Sequence, residues 1–151
     1  MGKINYLRVI VGGIVAGAVL YALRYYADGM KLSVQWHEGF DNLERGYLHG
    51  VGFWKGYFAV ALFNGILATW VYAAIRPRFG AGLRTAFFAG LAIWGIGTLV
   101  PNAEIMYVEG LFGARLTAYT TIAGLLEVVA ATLVGAALYK EKAVRDKVVA
   151  A

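Results

Sequence analysis

The chain has 151 residues, of which 60% are hydrophobic and 15% charged, with no cysteine and a formal net charge of +5. Soluble domains carry roughly 45–50% apolar and about 25% charged residues, so this composition leaves too few charges to cover a water-facing surface. It excludes intrinsic disorder, collagen and disulfide scaffolds, and it reads as an integral membrane protein.

A helix needs about 20 largely apolar residues to cross a hydrocarbon core of roughly 30 Å. Four stretches satisfy this, at about 7–26, 51–75, 85–107 and 117–139. Barrel strands are shorter and alternate in polarity. The expected fold is therefore an all-α, antiparallel bundle of four transmembrane helices forming one domain over 1–151. The first span follows Lys3 and Arg8, but Arg24-Tyr25-Tyr26 close it without a small-x-small cleavage site. It reads as an uncleaved signal anchor. Tyr6 stands where a myristoylation signal needs Ser or Thr.

Residues 27–50 form the one sizeable loop. Trp36, Phe40, Leu43 and Tyr47 recur at helical spacing, which predicts a short amphipathic segment with its aromatic face in the headgroup zone. Asp41-Asn42-Leu43-Glu44 has the form of a capping box and predicts a helix start there. His37, Asp41 and Glu44 are weak metal-ligand candidates at spacings of four and three. Helix initiation at Asp41 would leave His37 off that face, and no second ligand cluster supports it, so the expectation is no metal. A solvated polar face explains the same residues.

The connection after the second span carries Arg76, Arg78 and Arg84 around Pro77, Gly80 and Gly82. Pro77 is expected to push Arg76 out of helical geometry, and the glycines to allow a tight reversal. The second and third spans should then be antiparallel neighbours. The three arginines fit an ordinary basic cytoplasmic turn.

In the third span, Pro101 frees a backbone carbonyl one turn earlier. Thr98, Asn102 and Glu104, with Lys55 of the second span, are candidates to line an outer cavity, with a Lys55–Glu104 ion pair. The competing expectation is that the span ends at Pro101. Gly12, Gly13, Gly17, Gly90, Gly95 and Gly97 supply small faces for close helix contact.

The fourth span contains one charge, Glu127, at the depth of Asn64 in the second span, both near the bilayer midplane. An ionised carboxylate there is expensive, so Glu127 is expected to be protonated, or else held by a cation or strong donors, with Asn64 as the expected partner. A shift of 63 residues aligns 68–74 with 131–137 at five identities in seven and pairs Asn64 with Glu127. This raises a parallel repeat of two hairpins.

Nine basic residues (Lys3, Arg8, Arg76, Arg78, Arg84, Lys140, Lys142, Arg145, Lys147) fall on one side and five (Arg24, Lys31, Arg45, Lys55, Arg115) on the other. By the positive-inside rule both termini are cytoplasmic, with 27–50 extracytoplasmic and 140–151 a basic cytoplasmic tail. The expected location is a bacterial inner membrane. The positive charge needs no nucleic acid to explain it.

Absent cysteine excludes thiol redox relays and iron–sulfur clusters. Two histidines beside the loop do not suit haem in the bundle, and no nucleotide or hydrolase motif is present. No cofactor is expected. Three functions survive. The first is a non-enzymatic helix bundle, a homo-oligomer or an accessory subunit among other membrane subunits, with Glu127 and Asn64 as internal polar glue. The second is a proton- or cation-coupled small-solute transporter using Glu127. The third is a membrane enzyme acting on a lipid or quinone through the loop histidines and carboxylates.

Overall fold

The computed structural model describes residues 4–43 and 51–141, and the described residues are helical with short connections and no strand. Helix α1 spans Tyr6–Arg24, α2 Ser33–Asn42, α3 Val51–Phe79, α4 Leu83–Trp94, α5 Val100–Asn102 and α6 Ala114–Leu138. Three wider π-helical segments interrupt or extend them, at Tyr25–Lys31, Gly95–Leu99 and Ala103–Val108. Four continuous helices are long and apolar enough to cross a membrane: Tyr6–Lys31, Lys55–Phe79, Leu83–Ile105 and Ala114–Leu138.

These four form an up-down bundle. Helix α1 packs on α3 and α6, α4 packs on α6 and α3, and α3 meets α6 across the centre. The interior is built from small residues, with Ala16, Ala61, Ala89 and Ala131 buried. Large side chains point outward: Ile96 is 76% exposed, Leu126 68% and Phe63 62%. Small inside and large apolar outside is the distribution expected of a bundle solvated by hydrocarbon, where close backbone approach and dispersion drive association.

Gly13 and Gly17 of α1 face Gly65 of α3 so closely that a Cβ on Gly65 would overlap Gly17 N and Gly13 O. One turn along the same face of α3, the Thr69 side chain fits between Gly12 and Gly135. Buried hydroxyls stay satisfied inside their own helices: Thr69 donates to Gly65 O at 3.0 Å, Thr117 to Gly113 O at 3.1 Å and Thr132 to Val128 O at 2.6 Å. Gly12, Gly13, Gly17 and Gly90 sit at such contacts, whereas a Cβ on Gly95 would meet nothing within 4 Å.

Three local expectations are corrected. Pro77 does not end α3. It lies within the last turn, and the reversal falls to Gly80 (φ 83°) and Gly82 (φ 140°), where left-handed backbone favours glycine. The missing N–H of Pro77 removes one i→i−4 bond from that last turn, and Thr85 Oγ1 caps the reversal by donating to Gly80 O at 2.8 Å. Asp41 does not open a helix either. It lies near the end of α2, which begins at Ser33 because Trp36 and Phe40 pack with Phe112, with ring centroids 5.4 and 5.5 Å away. Glu44, Tyr47 and the rest of that expected segment lie outside the described residues. Finally, the third long helix does not stop at Pro101. It continues through α5 to Val108 in wide turns. Pro101 would crowd the carbonyl of Gly97, and the widened Gly95–Leu99 turn accommodates it.

At the other end of the bundle, the basic turn is held against the last helix. Arg76 approaches Glu141 at 3.5 Å and lies over the Tyr139 ring, while Arg84 lies over Phe88. Arg78 is exposed. Asn5 N donates to the Tyr139 hydroxyl at 3.3 Å, which fixes the start of α1 beside the end of α6.

Candidate functional site: a charged cavity at the α2 end of the bundle

Glu127 is 6% exposed, in the middle of α6. Its partner is Arg24, whose Nε lies 3.5 Å from Glu127 Oε2. Side chains on a helix lean toward its N-terminus. Helices α1 and α6 are antiparallel, so Arg24 leans inward from the α2 end and Glu127 leans outward toward it. The two meet although their Cα atoms differ in depth. Arg24 does not close a span, because the helix runs on for the seven-residue π segment to Lys31.

Asn64 is not the partner of Glu127. Its Nδ2 donates to Val60 O within α3 at 3.0 Å, and its side chain faces Gly97. A cation rather than an amide therefore accompanies the carboxylate. Depth along the spans, the only guide the sequence offered, could not separate these partners without the lean of the side chains.

One turn beyond Arg24, Asp28 Oδ1 accepts from Trp36 Nε1 at 3.3 Å, tying α2 down over the bundle end. Gly39 makes this approach possible, since a Cβ there would lie 2.8 Å from the Phe112 ring. Across the bundle, Asn102 Nδ2 donates to Thr121 Oγ1 at 2.9 Å and Thr120 Oγ1 at 3.4 Å, and Trp94 Nε1 donates to Thr121 O at 3.0 Å. These bonds fix the wide-turned third helix to α6.

Between these groups lies a partly open cavity of about 170 Å³, lined by Arg24, Asp28, Trp36, Tyr57, Gly97, Thr98, Asn102, Thr120 and Glu127. The first three long helices, α2, α5 and α6 all contribute. Two of the three π segments supply lining residues (Asp28; Gly97 and Thr98), as wide turns often do at functional sites. Glu127 Oε1 is buried without a hydrogen-bond partner.

Of the residues expected at an outer cavity, Thr98 and Asn102 line this one. Lys55 and Glu104 are exposed, and neither belongs to an ion pair among the described residues. Arg24 was expected to close the first span, and Asp28 falls within the expected 27–50 loop. Their spacing of four, which places both on one helix face, was the available signal. His37 turns its Nδ1 onto the Ser33 carbonyl, Asp41 is exposed, and Glu44 lies outside the described residues. Among the described residues no three His, Cys, Asp or Glu side chains gather to hold a metal.

No protein family, characterised protein or solved structure matches the chain. The functional reading rests on the geometry of the cavity.

Proposed function

We propose that the protein is a non-enzymatic, multi-pass membrane bundle that carries a small solute coupled to a proton or cation taken up at Glu127. The observation behind this reading is the asymmetry of Glu127, a residue that lines an open cavity: one oxygen faces Arg24, and the other is buried and unpartnered. An internal clasp would use both oxygens, because an unsatisfied buried polar atom costs about 1–3 kcal/mol. Two carboxylates and one guanidinium line the space, leaving it one positive charge short when both acids are ionised. Intramembrane ionisable residues of this kind mark ion and proton pathways.

The orientation that fits has both termini cytoplasmic and the cavity toward the outer side. Moving Arg24 into the bundle leaves four basic residues on that side against nine. Two repeated hairpins also fit. Thr69 and Thr132, 63 residues apart, each pack on a glycine of the preceding helix, Gly12 and Gly90.

A second reading has one observation in its favour. The Arg24–Glu127 pair ties α1 to α6, as polar glue would in a structural subunit of a larger membrane complex. Glu127→Gln separates the two. In a carrier, Gln keeps an oxygen for Arg24 and Asp28 stays one turn from its charge, so the variant still folds, and pH-driven proton flux in reconstituted vesicles falls at least tenfold. Unchanged flux, or no flux in the parent, contradicts the carrier reading and leaves the glue.

A further inference from the structure

The chemistry of the lining restricts what the cavity can hold. Its charge, two acids against Arg24, disfavours an anion. A hard metal cation wants six to eight oxygen ligands at close range, and among the described residues no three acidic or histidine groups converge. The space is also too large for a bare ion: an apolar cavity of about 150 Å³ takes benzene, so about 170 Å³ accommodates ~6–8 non-hydrogen atoms by the same measure.

The lining offers groups able to accept hydrogen bonds. Glu127 Oε1 has no partner and is buried. Thr98, 9% exposed, presents a hydroxyl. Asn102 commits its amide nitrogen to Thr121 and Thr120, so it offers a carbonyl oxygen. A primary ammonium has three N–H donors and no acceptor, which matches three acceptors. The Trp36 and Tyr57 rings at the wall suit the alkyl part of such a molecule, and aromatic faces attract cations.

We propose that this cavity binds a small organic cation carrying a primary ammonium group, received by the Glu127 carboxylate beside Arg24. This deepens the carrier reading by naming its solute, and rests on it only in taking the cavity as the functional site.

The test is titration calorimetry of the purified chain in detergent at pH 7 with ethylammonium chloride, against sodium chloride and tetramethylammonium chloride at equal ionic strength. Saturable one-site binding of ethylammonium is expected, at least tenfold tighter than either control. Binding should weaken at least tenfold in Glu127→Gln and in Asp28→Asn. The second variant keeps an oxygen for Trp36 and leaves the Arg24–Glu127 pair intact, so it decides the matter if the first does not fold. Absent saturable binding, equal affinity for sodium, or ethylammonium binding unchanged in Asp28→Asn overturns the proposal. Proton flux without ethylammonium binding removes this inference and leaves the carrier reading. Ethylammonium binding without flux supports the inference and removes the carrier reading.

Discussion

Gly65→Leu should leave little folded, monodisperse protein in detergent. Its Cβ alone would occupy the positions of Gly17 N and Gly13 O, both backbone atoms that no rotamer change can move. Overpacking a well-fitted site usually costs about 1–3 kcal/mol. Here relief requires α1 and α3 to separate, which also removes the approach of Gly13 to Ile66 and of Gly17 to Leu62. Between lipid-solvated helices that contact has no hydrophobic substitute. Gly56→Leu is the control on the same helix, where a Cβ would meet nothing within 4 Å. Size-exclusion profiles after heating should collapse for Gly65→Leu and match the parent for Gly56→Leu. Equal profiles would mean that the α1–α3 contact is not what holds these helices together.

Arg24→Leu is the other large effect. It strands Glu127, 6% exposed, with no positive partner. Removing one member of a buried ion pair costs about 3–5 kcal/mol, largely because the remaining charge is left uncompensated. Removing both is often neutral or stabilising. The double variant Arg24→Leu/Glu127→Leu should therefore recover most of the thermal stability lost in the single one. A double variant as unstable as the single would show that Arg24 acts through packing of its stem rather than through its charge.

The four long helices were legible because length and apolarity are additive along the chain, and 117–139 against Ala114–Leu138 is a typical agreement. The ends were not. Arg24, Asp28 and Lys31 look like the polar margin of a span, yet the helix continues through them as a π segment. The energy that permits this comes from partners outside the segment: Glu127 on the last helix for Arg24, and Trp36 on α2 for Asp28. The same holds for α2. A local capping pattern at Asp41 was outweighed by ring contacts with Phe112, about seventy residues away. Thr98 and Asn102 could be placed from the sequence because Pro101 marks where backbone regularity fails. Glu127 stood out because its charge is isolated in an apolar run, but its partner depended on how antiparallel side chains lean.

The central claim is that Glu127 borders an open cavity lined by two acids and one guanidinium rather than a closed packing interface. A chain without cysteine permits a direct measurement. Thr98→Cys places a thiol at the cavity wall, and Thr132→Cys places one at a fully buried site on α6. Their rates of modification by a cationic ethylammonium methanethiosulfonate and by its anionic sulfonatoethyl analogue can be compared in vesicles. Position 98 should react, at least tenfold faster with the cationic reagent, and position 132 should stay inert. Inertness at position 98, or a preference there for the anionic reagent, would contradict it.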